Sequence, residues 1–91
     1  MLLNPGGKVS YNGRELTYPD IRLVYWAGGN PFHHHQDINR FLKALQKAET
    51  IVVHEPWWTP FARQADIILP ATTTTERNDI MSSRADRYIV A

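Results

Sequence analysis

Three stretches of this chain hold groups that could bind a ligand, and each follows a short apolar run. Gly28-Gly29-Asn30-Pro31 follows Ile21–Ala27 and leads into Phe32, the triplet His33-His34-His35 and Gln36. His54-Glu55-Pro56-Trp57-Trp58 follows Ile51-Val52-Val53, and the polar stretch Ala71–Asp79, with Arg77 in it, follows Ile67-Ile68-Leu69-Pro70. Paired glycines let a ligand approach the backbone closely, and free N–H groups at a following helix would suit a phosphate. The spelling is neither G-x-G-x-x-G nor a P-loop, so a plain tight turn explains it as well. A carboxylate at a strand end, here Glu55, can accept hydrogen bonds from ribose hydroxyls or from the donor edge of guanine, or simply face solvent. Arg77 suits a phosphate or carbonyl, or a local ion pair with Glu76 or Asp79. Three consecutive histidines cannot all converge on one metal from a regular element, so no metal ligands are assigned, and the triplet divides among capping, packing and ligand hydrogen bonds. Trp57 and Trp58 offer a stacking surface for a base or anchors for packing. Ser10, Ser82 and Ser83 have no His–Asp partners at a recognisable spacing, so no catalytic residue is assigned.

The elements that must position these groups follow from periodicity. Residues 1–20 read as a hairpin segment, with arms Lys8–Tyr11 and Glu15–Tyr18 around the strong turn signal Asn12-Gly13. The near-continuous run Ile21–Ala27 predicts a strand covered on both faces. Ile38, Phe41, Leu42 and Leu45 share one helical face, which predicts a helix over about Gln36–Ala48 with Asp37 in its first turn. Thr50–His54 predicts a second strand, Thr59-Pro60 the start of a short helix over Pro60–Gln64, and Ile67–Leu69 a third strand. Strand, helix, strand, short helix, strand is the pattern of a parallel α/β sheet, a Rossmann-like β-α-β-α-β three-layer subdomain over residues 21–80. Open parallel sheets bind ligands beyond the carboxyl ends of their strands, where all three polar stretches fall. Arg87–Ala91 opens like one more strand, and residues 81–91 read as the start of a following segment.

Ninety-one residues suffice for one small domain and are short for an enzyme with a separate substrate domain. Ten Lys and Arg against nine Asp and Glu lack the basic excess of a nucleic-acid-binding surface. No apolar run is long enough to span a membrane. The absence of cysteine excludes disulfides, thiolate metal sites and thiol catalysis, and leaves the compartment open. Three Trp, four Tyr and three Phe are a heavy aromatic load for this length, which calls for surfaces to pack them on.

Taken together, Trp26-Ala27-Gly28-Gly29-Asn30-Pro31-Phe32, His34-His35-Gln36-Asp37, His54-Glu55, Trp58-Thr59, Ala62-Arg63, Ala65-Asp66-Ile67-Ile68-Leu69-Pro70-Ala71 and Glu76-Arg77-Asn78-Asp79 resemble the molybdopterin oxidoreductases of the dimethyl sulfoxide reductase type. Leu2-Leu3-Asn4-Pro5-Gly6 and the Asn12-Gly13 hairpin are similar to the segment preceding that stretch. The resemblance covers almost the whole chain and points to the dimethyl sulfoxide, trimethylamine N-oxide and biotin sulfoxide reductases. Those enzymes run to several hundred residues and reduce S-oxides or N-oxides at a molybdenum held by two molybdopterin guanine dinucleotides. Two related α/β domains each receive one nucleotide, and this chain is similar to the one in the middle of the sequence.

The resemblance implies cofactor contacts at Gly29, Asn30, His34, Gln36, His54, Glu55 and Arg77. Many relatives carry Asp at Glu55. Gln64 and Thr75 depart from the family pattern at positions outside that set. The serine that ligates molybdenum in these reductases has no counterpart here, nor has the second nucleotide domain. The expectation is an internal piece of a bis(molybdopterin guanine dinucleotide) reductase, inactive by itself and holding no cofactor alone. Its partners would be the remaining domains of the parent, with self-association through exposed apolar surface in their absence, and no nucleic acid or membrane. The alternatives are a stand-alone Rossmann-like nucleotide-binding module and an interaction module using Trp57 and Trp58.

Overall fold

The computed structural model describes residues 1–80 and 87–89. The chain opens with an antiparallel hairpin, β1 (Lys8–Tyr11) and β2 (Arg14–Thr17), in the register Lys8↔Thr17 to Tyr11↔Arg14. Asn12 and Gly13 both adopt positive φ, 49° and 73°, the backbone that a two-residue turn needs to match the strand twist. The arms begin and end within a residue of the expected ones. Lys8 Nζ reaches Glu15 at 2.7 Å across the hairpin, an exposed pair that contributes little.

A three-stranded parallel sheet follows, β3 (Leu23–Ala27), β4 (Thr50–Glu55) and β5 (Ile67–Pro70), in the order β3-β4-β5. This is the expected α/β architecture, a hairpin followed by a parallel sheet with helices in its connections. β3 starts at Leu23, two residues later than the apolar run. Ahead of it, the Arg22 carbonyl accepts from the N–H groups of Glu49 and Thr50, and the Arg22 guanidinium grips the Glu49 carboxylate with two bonds of 2.6 Å. The hydrogen bond to Glu49 raises the Arg22 pKa above its ordinary value. Pro70 is tolerated in β5 because β5 is an edge strand.

The first connection holds two helices where one was expected. Asn30 ends the Gly28-Gly29 turn and caps α1 (Pro31–His34), a single turn whose Phe32 N–H donates to the Asn30 side chain at 3.0 Å. Asp37 then caps α2 (Ile38–Leu45), accepting from the Arg40 N–H at 2.9 Å. The amphipathic helix is therefore shorter than predicted at both ends, starting after the Asp37 cap and ending at Leu45 with Gln46 as its C-cap. In the second connection, Thr59 accepts from the Ala62 N–H at 3.1 Å and starts the short helix expected over Pro60–Gln64, which is a 3₁₀ turn over Ala62–Gln64.

The core is small and lies on one side of the sheet. Leu45, Ile51, Val53, Phe61 and Ala62 are buried, with Val24, Trp26, Phe32 and Phe41 packed against them. Phe61 is its centre and meets Trp26 and Phe32 edge-on, each with ring centroids 5.5 Å apart. Both connections thus cover the same face. On the other face Leu23 and Tyr25 are 56 % and 55 % exposed and Ile67 and Leu69 are 47 % and 38 % exposed. β3 was expected to be covered on both faces; it alternates instead, because among the described residues nothing lies over that second side. Residues 87–89 are irregular, and the remainder of the strand expected at Arg87–Ala91 lies outside the described residues.

Candidate functional site

The parallel register brings the ends of the three strands to one edge. Ala27 pairs with His54, His54 with Leu69 and Glu55 with Pro70, so the Gly28 turn, the His54-Glu55 step and the start of the Ala71–Asp79 loop are neighbours there. At the first of these, Gly28 and Gly29 take φ of 77° and 69°, and the space where a Cβ would project is open at both. This left-handed backbone is costly for other residues, and it leaves the main chain accessible at the strand end. Trp26 Nε1 donates to the Gly29 carbonyl at 3.1 Å and fixes the turn from within the sheet. Asn30 has its side-chain oxygen committed to the α1 cap.

His54 and Glu55 are consecutive in a strand, so their side chains leave opposite faces. His54 Nε2 meets the Tyr25 hydroxyl at 2.6 Å on the open face, with the two rings tilted at 5.4 Å. Glu55 leaves the other face, where Oε2 accepts from the Thr59 hydroxyl at a long 3.4 Å. Its second oxygen has no hydrogen-bond partner among the described residues. An imidazole and a carboxylate therefore flank one strand end on opposite faces, instead of a pair acting on one spot.

Arg77 lies in the loop beyond β5. Its Nε and Nη2 donate to Asp79 at 2.9 and 2.7 Å, and Nη1 donates to the Thr72 carbonyl at 2.8 Å. The local ion pair is the one to Asp79, not to Glu76. The Arg77 hydrogen bond holds the Asp79 carboxyl below its ordinary pKa, and a bond from the Ile80 N–H adds to this. Glu76 closes a capping box with Thr73, whose N–H and hydroxyl each donate at 2.8 Å, and that hold lowers the Glu76 pKa.

His34 and Gln36 belong elsewhere. Both line a groove of about 690 Å³ between the first residues of the chain and α2, with Leu2, Val24, Arg40 and Phe41 on its walls. His35 lies flat on Phe41, centroids 4.1 Å apart, which assigns one histidine of the triplet to packing. No group of three or more His, Asp or Glu side chains among the described residues could hold a metal. Thr59 was expected as a helix cap and Asp79 as one of two ion-pair partners of Arg77, whereas Tyr25 and the Trp26 indole were not singled out from sequence. Each acts by touching a residue distant in the chain or by a local turn, which periodicity does not register.

Residues 3–89 match the family model described as Molybdopterin oxidoreductase. The chain belongs to the molybdopterin oxidoreductase family. It is 65 % identical over 82 residues to a dimethyl sulfoxide/trimethylamine N-oxide reductase of Cereibacter sphaeroides, covering 90 % of this chain and 10 % of that protein. It is 57 % identical over 91 residues to a biotin sulfoxide reductase of the same organism, covering 100 % of this chain and 12 % of the relative. With trimethylamine-N-oxide reductase 1 of Escherichia coli the identity is 42 % over 92 residues, covering 99 % of this chain and 11 % of that protein. The chain thus spans about a tenth of the length of the relatives it matches. Within this molybdopterin oxidoreductase segment, the elements carrying the polar strand ends fall inside the matched residues 3–89.

Proposed function

We propose that this chain is a segment of a molybdenum-dependent S-oxide or N-oxide reductase and supplies part of the surface that receives the nucleotide of one molybdopterin guanine dinucleotide. The observation that carries the reading is the accessible left-handed backbone at Gly28-Gly29 beside Glu55, at the carboxyl edge of a parallel sheet, in a chain of this family. The residues fit such a group. A phosphate or ribose can approach the Gly29 main chain because no Cβ intervenes, and the free Glu55 oxygen suits the donor edge of guanine or ribose hydroxyls. Asn30 shapes the turn through its cap, and His54 offers the ring nitrogen not engaged by Tyr25. His34 and Gln36 line the separate groove against α2 and would contact only a part of the cofactor that extends there, and Arg77 would present a guanidinium oriented by Asp79.

Bound molybdenum would supply the redox centre for oxygen-atom transfer. Nothing assigned in this chain ligates it, so the chain's part is binding and orientation, and alone it does not turn over an oxide. A site divided among several parts of a protein loses preorganisation when one part is taken alone, which argues against stable cofactor retention by these residues by themselves.

The test replaces the matching segment of the Cereibacter sphaeroides dimethyl sulfoxide/trimethylamine N-oxide reductase by this chain and measures guanine nucleotide released from the purified protein. Retained guanine is expected, with at least fivefold lower content in E55A at unchanged thermal unfolding and in G29V at an unfolding temperature lowered by the positive φ of that position. Full guanine content in both variants would remove the nucleotide-binding role.

A further inference from the structure

The Asn12-Gly13 turn joins two groups that can react with each other. An asparagine side chain deamidates when the main-chain nitrogen of the next residue reaches its amide carbon, so the residue that follows controls the rate. The chain has asparagine at positions 4, 12, 30, 39 and 78. Asn4 and Asn30 precede proline, whose nitrogen carries no hydrogen to release. Asn39 lies inside α2, and the Arg40 N–H that would attack it is held by the Asp37 side chain. Asn78 precedes Asp79, whose side chain crowds the nitrogen. Asn12 alone precedes glycine, and nothing lies within 4 Å of the point where a Gly13 Cβ would project. Both turn residues are exposed. Among the described residues neither the Asn12 side chain nor the Gly13 N–H has a hydrogen-bond partner.

We propose that Asn12 is a modification site, where the chain's own Gly13 nitrogen turns the side-chain amide into a succinimide that water opens to an aspartyl or isoaspartyl residue. In the first step the Gly13 nitrogen bonds to Asn12 Cγ, the Cγ–Nδ2 bond breaks, and Nδ2 leaves as ammonia with the Gly13 proton. Water then adds to one of the two ring carbonyls, that carbonyl's bond to the Gly13 nitrogen breaks, and the nitrogen takes a proton from the water. Opening at the side-chain carbonyl gives aspartyl, and opening at the main-chain carbonyl gives isoaspartyl. The fold controls access. Asn12 and Gly13 are held in left-handed backbone between the paired Tyr11 and Arg14, so the turn must open before the ring can close. That opening costs little, because a two-stranded hairpin is marginally stable by itself, and here Tyr11 and Leu16 are 63 % and 44 % exposed. The two products act differently on the hairpin. Aspartyl keeps the turn, since Asp-Gly also favours it, and cancels the formal net charge of +1. Isoaspartyl carries the main chain through the side chain and adds one methylene to the turn, which displaces the Tyr11↔Arg14 register. None of this depends on the nucleotide reading.

Peptide mapping by mass spectrometry tests this on the purified chain, aged at mildly alkaline pH in native buffer and in urea. In native buffer Asn12 is expected to convert at least fivefold faster than Asn39 or Asn78, with Asn4 and Asn30 unchanged. Isoaspartyl, scored by a carboxyl methyltransferase specific for it, is expected alongside aspartyl, because only the ring yields both. In urea, where strain at the turn plays no part, G13A is expected to convert at least fivefold more slowly than the unsubstituted chain. Asn12 left intact in native buffer overturns the inference, since the hairpin then protects it. Aspartyl without isoaspartyl also overturns it, because direct hydrolysis then makes the product. Equal rates for G13A and the unsubstituted chain in urea would leave Gly13 without the part assigned to it.

Discussion

Phe61 shows how much one residue carries in so small a core. It is fully buried, and Trp26, Phe32 and Phe41 all direct their rings at it. Phe61→Ala is expected to cost about 3–5 kcal/mol, comparable to the whole stability of a domain this size, so the variant should show no cooperative urea transition. The polar residues obey a different arithmetic. Glu76 and Asp79 are exposed, and both have folded pKa values below their ordinary ones. A lowered carboxyl pKa contributes stability that is present above the unfolded value and is lost as pH falls through the folded value. The Thr72–Asp79 loop should therefore keep its hydrogen bonds at neutral pH and lose them below about pH 4. Carbon-13 titration of the two carboxyls checks this, and midpoints at or above those of model peptides would contradict it. R77Q should move the Asp79 midpoint up while leaving that of Glu76, whose hold comes from Thr73.

Among the elements, the link between β4 and β5 rests on Asp66. Its side chain accepts from the Ile51 N–H at 2.8 Å, while its own N–H donates to the Ile51 carbonyl at 2.9 Å. Asp66→Ala leaves a half-buried N–H unpaired, and a loss of about 1–3 kcal/mol is expected in chemical denaturation. Asp66→Asn should recover part of it through the remaining amide oxygen. Asp66 was quoted from sequence only as part of a family string, since a bond to Ile51 depends on register, which sequence spacing does not reveal. The strands themselves were legible, because Val24 to Ala27, Ile51 to Val53 and Ile67 to Leu69 are short apolar runs bounded by Gly, Pro and polar residues. The hairpin was legible from Asn12-Gly13. The split of the first connection into α1 and α2 was not, because α1 is a single turn over Pro31–His34, too short to show apolar periodicity. Of the site, the three strand ends could be read from topology alone. The departure of His54 and Glu55 to opposite faces follows from strand alternation, but only once both are known to lie inside β4. The bonds that Tyr25 makes to His54 and Thr59 to Glu55 needed coordinates, as did the choice of Asp79 over Glu76 as the partner of Arg77.

For the whole molecule the decisive quantity is how little is buried. Among the described residues five form the hydrophobic core, while one sheet face, Trp57 and Trp58 remain exposed. A chain of about ninety residues is marginal even when compact, since the entropy of ordering it nearly cancels its burial. Here the uncovered sheet face removes a further part of the favourable side. The urea m-value reports surface exposed on unfolding, so it should fall at the low end of the about 1–3 kcal/mol/M range of small proteins. Stability in water should lie below about 5 kcal/mol. Concentration separates the two ways in which exposed apolar surface can be satisfied. If the face is covered only by other parts of a longer polypeptide, the midpoint should not move over a hundredfold dilution, because three short strands offer too little area to hold two copies together. A midpoint that climbs with concentration would show self-association instead, with Trp57 and Trp58 the first residues to substitute. Insertion of the chain into the longer reductase should then raise its protection from hydrogen exchange most in β3 and β5, the strands whose side chains are most exposed on that face.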